Sequence, residues 1–257
     1  AAVVVADDDS PRAEATAEAV RDLGARALIV VGDLTTAEGI ATLHDAAVEA
    51  FEHVDILVNG LGHHLGVHGP FEGNTEEQWQ GLYEVNLLHV LRASKAFVPG
   101  MRERGWGRIV NFSSVEGIRS APDIAVYTAF KGAVDSFTKS LGVGLAGSGI
   151  RVNAIAVDKT RGYQVNHYAL PAEYEHLVSS WIPVGRYGEG DDVAGVVLFL
   201  ASDLGEWVVG QTIPADGGTL AAGGWYKTPT RWTNSPLLTQ YLEEDPSVNA
   251  ARPRSLQ

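Results

Sequence analysis

Tyr127 and Lys131 lie four residues apart in Val126-Tyr127-Thr128-Ala129-Phe130-Lys131. On a helix that spacing puts both side chains on one face, one turn apart. A phenol is a weak acid, with an unperturbed pKa of about 10, and an ammonium beside it favours the phenolate. The pair therefore suits passing a proton to a carbonyl oxygen or taking one from an alcohol. With 8 tyrosines in the chain, such a pair also arises by chance, as an exposed lysine beside a packed tyrosine. Its meaning depends on the elements around it.

Apolar β-branched runs alternate with segments of helical period, the pattern of a parallel sheet covered by helices. Strands are expected at residues 3–6, 27–31, 55–58, 108–112, 151–155 and 211–215, the third of them short and buried. Helices are expected at about 11–23, 36–52, 75–104 and 191–202, with one more carrying Tyr127 and Lys131 as far as Ala146. Ser10 is placed to cap the first helix and Pro11 suits its first turn. The expected fold is α/β, a Rossmann-like doubly wound parallel sheet in three layers. Residues 1–218 read as one domain. Residues 219–257, rich in Gly, Pro, Thr, Asn and Trp, read as an extended tail.

A doubly wound sheet takes its ligand outside the carboxyl ends of its strands, and polar or small residues gather at those ends here. Asp7 could accept both hydroxyls of an adenosine ribose and would repel a 2′-phosphate. Asp33 could accept from an adenine amino group, or simply cap the helix that follows. At Asn59-Gly60 the missing side chain lets backbone approach a flat ligand. Ser114 comes thirteen residues before Tyr127. Its hydroxyl could hold a carbonyl oxygen while Tyr127 protonates it, or it could form a turn with Ser113.

The ordered set Asp7, Gly32-Asp33-Leu34, Asn59-Gly60-Leu61-Gly62, Asn86, Ser113-Ser114, Tyr127-x-x-x-Lys131, Arg151-Val152-Asn153 and Asp216-Gly217-Gly218 resembles the short-chain dehydrogenase/reductase family. The resemblance implies hydride transfer between NAD(H) and a secondary alcohol or ketone. It implies Tyr127 as general acid/base, Lys131 as the residue that favours its phenolate and binds the nicotinamide ribose, and Ser114 as the substrate-oxygen anchor. Asn86 would bend its helix and hold a water linking Lys131 to solvent. Asp7, Asp33, Leu34, Asn59, Gly60 and Val157 fall at the expected cofactor positions, with Tyr127 and Lys131. The Tyr-to-Lys spacing of four fits ketone and alcohol chemistry; the enoyl reductases that resemble this fold use a wider one. Asp7 favours NAD over NADP, with Arg12 as a competing charge. A homotetramer or homodimer is implied as well, with the Tyr127 helix and the last strand at interfaces.

Three departures from the family pattern stand out. Its Asn-Asn-Ala-Gly reads Asn59-Gly60-Leu61-Gly62, and its Pro-Gly after the sixth strand reads Val157-Asp158, which puts the nicotinamide-side loop in question. The family also opens on a strand and a Gly-rich turn that hold a pyrophosphate. Here the sequence starts at the expected second strand, so an additional strand is expected between residues 3–6 and 55–58. The alternative is a non-catalytic relative, a scaffold or regulator with a defective dinucleotide site.

Bulk composition narrows the partners. A net charge of −13 and a pI near 5.0 disfavour nucleic acid and anionic membranes. There are 0 cysteines, which excludes thiol catalysis and thiolate metal sites and suits the cytoplasm. His63, His64 and His68 lack a carboxylate at ligand spacing, so no metal is expected and they read as solvated loop residues near the mouth of the site. Glu116 is expected to point to the same cleft. Tyr163, Tyr168 and Trp181 would line a hydrophobic substrate pocket, or else glue their own loop to the core.

Overall fold

The computed structural model describes residues 1–162, 172–228 and 232–233. The chain groups into two compact units, one of Ala1–Val157 with Ala194–Ile213 and one of Asp158–Val193 with Pro214–Gln257. The expected boundary at residue 218 falls inside the second.

In the first unit the order is β1 (Ala2–Asp7), α1 (Ser10–Asp22), β2 (Arg26–Val31), α2 (Ala37–Phe51), β3 (Ile56–Asn59), α3 (Glu76–Tyr83), α4 (His89–Arg104), β4 (Gly107–Ser114), α5 (Glu116–Arg119), α6 (Ala125–Leu145) and β5 (Ile150–Val157). The last strand, β6 (Thr212–Ala215), follows helix α7 (Gly190–Ala201). Strand pairing is parallel: β1 with β2 from Ala2↔Arg26 to Asp7↔Val31, β3 with β4 from Ile56↔Arg108 to Asn59↔Asn111, and β4 with β5 from Gly107↔Ile150 to Ser114↔Val157. Beside β5, the Ala154 N–H donates to the Gln211 carbonyl at 2.8 Å.

The parallel sheet covered by helices is thus present, but in two hydrogen-bonded pieces, β1-β2 and β3-β4-β5-β6. The break falls between β1 and β3, the two strands that the expected additional strand would join. β3 is also not the buried strand its apolar run implies. Ile56 and Val58 are each 43% exposed while Leu57 and Asn59 are buried, the alternation of a strand covered on one face.

One helical layer spans both pieces. α2 packs on β1 and β2 and against α4, which packs on β3 and β4, while α6 packs on β4 and β5. Ile40 and Ala47 of α2, Phe97 and Met101 of α4, and Leu57, Ile109 and Val152 of the strands form the core, with Val4 of β1 against it. Removing several methylenes from such a position costs about 2–5 kcal/mol.

Local chemistry sets the helix starts. Asp9, rather than Ser10, caps α1: its carboxylate accepts the Arg12 N–H at 2.8 Å, and Pro11 sits in the first turn, where no N–H is needed. Thr75 and Gln78 close a capping box on α3. The helix expected over 75–104 is interrupted by a π turn at Glu84–Leu88, a feature common at functional sites.

In the second unit Val178, Ile182 and Tyr187 pack together with Trp181 against them. Arg186 grips Asp192 through two bonds of 2.7 and 2.8 Å. The tail, expected to be extended throughout, opens instead with a short helix, Thr219–Ala222, followed by Tyr226–Lys227 paired antiparallel with Trp232–Thr233.

Candidate active site

α6 carries Tyr127 and Lys131 into the first unit, 7% and 3% exposed, with the Lys131 Nζ 5.8 Å from the centre of the Tyr127 ring. Nζ donates to the Phe112 carbonyl of β4 at 2.9 Å. Burial lowers the Lys131 pKa from 10.5 to about 8, with Asp135 pulling the other way. Ser113 Oγ donates to the Lys131 carbonyl at 3.2 Å, tying α6 to the end of β4. The short helix α5 reaches the same place through paired glycines: a Cβ on Gly117 would stand 2.9 Å from the Gly132 nitrogen. Next along β4, Ser114 Oγ accepts the Glu116 N–H at 3.2 Å, and its own proton can donate to another oxygen.

The loop after β3 is clamped from the π turn. Asn86, 0% exposed, accepts the His63 N–H at 3.1 Å and donates to the His63 and Leu82 carbonyls at 2.8 and 2.9 Å. Both amide protons are committed to backbone, so the side chain keeps only acceptor capacity on Oδ1. Gly62 makes the clamp possible, because a Cβ there would stand 2.6 Å from Lys131 Nζ and 3.3 Å from Asn86 Oδ1. His64 differs from the solvated loop residue expected, while His68 is exposed as expected. His64 is only 4% exposed and its ring meets Tyr127 edge-on at 6.5 Å between centroids. His63 stacks on it at 4.8 Å and His68 tilts against it at 4.4 Å. The turn that buries it places Leu65 at φ 54, and the Gly66 N–H donates to His64 Nδ1 at 3.0 Å. Among the described residues no group of ligand-type side chains is arranged to hold a metal ion.

At the strand ends, several expected contacts are engaged within the protein. Asp7 is gripped by Arg12, through Nε at 2.8 Å and Nη2 at 2.5 Å, and this pair holds its pKa down at about 2. Asp33 accepts the Thr35 N–H at 2.8 Å and its hydroxyl at 2.6 Å, which lowers its pKa; Thr36, not Asp33, caps α2. Leu34 packs against the core. Asn59 donates to Asn111 at 2.8 Å, and Asn111 to Thr138 at 2.9 Å, a buried chain from β3 to α6. Gly32 and Gly60 border open space where a Cβ would stand. The Val157 carbonyl accepts the Val115 N–H at 3.1 Å. Glu116, expected to face substrate, is paired with Arg119 at 2.8 and 3.2 Å. Trp181 packs in the second unit; Tyr163 and Tyr168 lie outside the described residues.

Sequence reasoning passed over Asn111, Asp135 and His89. Asn111 carried a signal, as a polar residue in the middle of an apolar strand. So did His89, one helical turn beyond Asn86. It is 3% exposed, and among the described residues its ring nitrogens make no full hydrogen bond, although the Glu84 backbone lies near enough to act on them. Burial and the charge of Lys131 lower its pKa from 6.5 to about 4, opposed by the Glu84 carbonyl.

The chain is similar to several known proteins. A family model described as enoyl-(acyl carrier protein) reductase matches residues 1–219. The cis-4-hydroxycyclohexanecarboxylate dehydrogenase of Sinomonas cyclohexanicum is 35% identical over 222 residues, 86% of this chain and 87% of that protein. The inactive 2-(S)-hydroxypropyl-CoM dehydrogenase 2 of Xanthobacter autotrophicus is 34% identical over 225 residues, 86% of this chain and 96% of that protein. A gluconate 5-dehydrogenase from Burkholderia cenocepacia J2315, solved with NADP and tartrate, superposes with a TM-score of 0.78 at 32% identity, covering 86% of each chain. No helix among the described residues is long and apolar enough to cross a membrane.

Proposed function

The chain belongs to the short-chain dehydrogenase/reductase family, and we infer that it is an oxidoreductase moving a hydride between NAD(H) and a secondary alcohol or its ketone. The family binds NAD(P). The observation that carries the reading is the buried pair on α6, Tyr127 with the Lys131 ammonium 5.8 Å from its ring, beside the Ser114 end of β4. The residues present fit a dinucleotide. Gly32 and Gly60 leave room at two strand ends, Asp7 offers a carboxylate at a third, and Lys131 keeps donors beyond the one given to Phe112. Asp7, Asp33, Leu34, Asn59, Gly60 and Val157 would border the cofactor, which when bound accepts or returns the hydride.

In the oxidative direction the Tyr127 phenolate takes the hydroxyl proton as the C–H bond breaks and its electron pair leaves with the hydride. Ser114 donates to the oxygen and holds it in place. Lys131 stabilises the phenolate through a fixed charge in a water-poor setting, where such preorganised charge acts most strongly. Reduction runs the same proton back from Tyr127 to the forming alkoxide.

NAD rather than NADP is our finer reading, resting on the Asp7 carboxylate. A hydrophobic alcohol or ketone, a cytoplasmic setting and a homodimer or homotetramer belong to the same reading. For the oligomer, Val143 of α6 and Leu198, Leu204 and Trp207 are 74%, 70%, 79% and 95% exposed, large apolar side chains that a partner subunit would cover. Two observations favour other readings. The family model's description names C=C reduction, and a relative of similar identity is inactive.

One panel separates these readings: NADH and NADPH fluorescence titration, then turnover with cyclic and open-chain secondary alcohols, their ketones and a crotonyl thioester. Ketone and alcohol turnover with thioester inactivity is expected. Absence of NADH and NADPH binding would leave the scaffold reading, and thioester turnover the enoyl one.

A further inference from the structure

Asp135 is a buried acid that the mechanism above does not use. It lies on α6 four residues after Lys131, about 6 Å further along the axis and on the same face. Both side chains are buried. Asp135 Oδ1 accepts from Thr212 Oγ1 of β6 at 3.0 Å. Ser113, at the end of β4, hydrogen-bonds the same carboxylate, and its Oγ stands 3.2 Å from the Lys131 carbonyl. Ser113 therefore touches both residues, and the carboxylate is seated where α6, β4 and β6 meet. The lysine head turns to the Phe112 carbonyl, so the two charges act through space, where burial leaves them little screened.

Two cations face the carboxylate, Lys131 and Lys139, both on α6. Lys139 is exposed and water screens it. β4 and β6 present hydroxyls to Asp135 and no charge. Elsewhere on the elements packed against α6, Glu116 is paired with Arg119, Glu84 with Gln80, and His89 is neutral near pH 7. Arg108 and Arg151 close on Glu206. Burial pushes both members of the α6 pair toward neutrality. It lowers the Lys131 pKa to about 8, against the pull of Asp135. It raises the Asp135 pKa, against the hydroxyls of Ser113 and Thr212 and the charges of Lys139 and Lys131. A neutral lysine would do nothing for a phenolate, so a negative charge one turn away serves the site.

We propose that Asp135 is a positioning residue whose carboxylate, seated by Ser113 and Thr212, is the counter-charge that keeps the buried Lys131 ammonium protonated for its work on Tyr127. The task of Lys131 rests on the hydride-transfer reading; the charge relation between the two residues stands without it. The two hydroxyl donors favour the ionised carboxylate, and the carboxylate in turn favours the ammonium. The last strand, through Thr212, thereby bears on the acid/base pair.

The test compares wild type with Asp135→Asn, whose amide oxygen still accepts from Thr212 but carries no charge, and Asp135→Leu, which loses both. Three quantities are measured: the Lys131 pKa by NMR of lysine-labelled protein without cofactor, the ionisation of the wild-type Asp135 carboxyl by carbon NMR, and kcat/KM across pH with a secondary alcohol that the wild type oxidises. Expected is an Asp135 carboxyl that is ionised at pH 7. In both variants the Lys131 pKa should fall by about one pH unit. The alkaline limb of kcat/KM should move down with it, because activity is lost as the ammonium gives up its proton. Asp135→Asn should melt within a few degrees of wild type, and Asp135→Leu lower. An unchanged Lys131 pKa and alkaline limb in Asp135→Asn overturns the proposal: Asp135 then serves only as a hydrogen-bond acceptor. A carboxyl that is protonated at pH 7 in wild type overturns it too, a result that needs no variant to fold. Failure of the hydride reading is distinguishable, since wild type would then oxidise no alcohol while the Lys131 titration still reports on Asp135.

Discussion

Lys131 holds its ammonium 5.8 Å from the centre of the Tyr127 ring while its own pKa is lowered by burial to about 8. The pair is thus an acid/base group beside a cation whose charge the fold makes expensive. A charge kept in a dry seam acts strongly on its neighbour. Losing the seam's geometry therefore costs function before it costs stability.

Gly62 is the narrowest point of that geometry. A Cβ there would stand 2.6 Å from Lys131 Nζ, so Gly62→Ala must displace the lysine or the loop. Expected is a fold that melts within a few degrees of wild type and a kcat lower by about 10²-fold, in line with small misplacements of catalytic groups. Steady-state kinetics beside a melting curve check this. A fully active Gly62→Ala would mean that the ammonium position is unimportant.

The Asp7–Arg12 pair bears on cofactor choice. Arg12 occupies both Asp7 oxygens and could redirect its fork to a 2′-phosphate. Arg12→Ala should raise the ratio of NADH to NADPH affinity about tenfold, the worth of one charge-assisted hydrogen bond. Asp7→Ser should lower it. Fluorescence titration with both dinucleotides measures the ratio; no change in either variant refutes a role for this corner in discrimination.

Asn111 is a structural prediction. Replacing it by Leu strands the Asn59 amide and the Thr138 hydroxyl, both buried. The loss should be about 1–3 kcal/mol for each stranded partner, seen as a lower urea midpoint at unchanged slope. A midpoint equal to wild type would show that neither bond contributes.

Acid should expose His89. Its folded pKa is about 4 against 6.5 for the free group, so between those values the unfolded chain holds a proton that the folded chain refuses. Stability from this group is full above about pH 6.5 and falls as pH drops toward 4, by on the order of 3 kcal/mol. His89→Leu lacks this dependence. The gap between variant and wild-type stability should widen from pH 7 to pH 4.5, and a constant gap contradicts the assigned pKa.

Much of this was legible in the chain. Tyr127, Lys131 and Ser114 could be located because helical spacing and strand-end position are local properties. The strands themselves followed from β-branched runs. What stayed hidden depends on contacts made far along the sequence. His64 reads as a loop residue until a positive-φ turn at Leu65 buries it against Tyr127. β3 reads as a buried strand, yet Ile56 and Val58 are exposed while Leu57 and Asn59 are buried, and its only partner strand among the described residues is β4. Asp33 looked able to reach a ligand, and only the folded turn shows Thr35 holding it. No periodicity announces that His89 is buried, because that depends on how the π turn sets α4 against the core.

Replacing Tyr127 by Phe, which removes the hydroxyl and keeps the ring, is the most direct measurement of the proposed chemistry. Turnover of a secondary alcohol that the wild type oxidises should fall by about 10³-fold or more, while NADH affinity stays within about twofold. A Tyr127→Phe enzyme retaining turnover within tenfold of wild type would contradict the assignment of Tyr127 as the proton-transfer group.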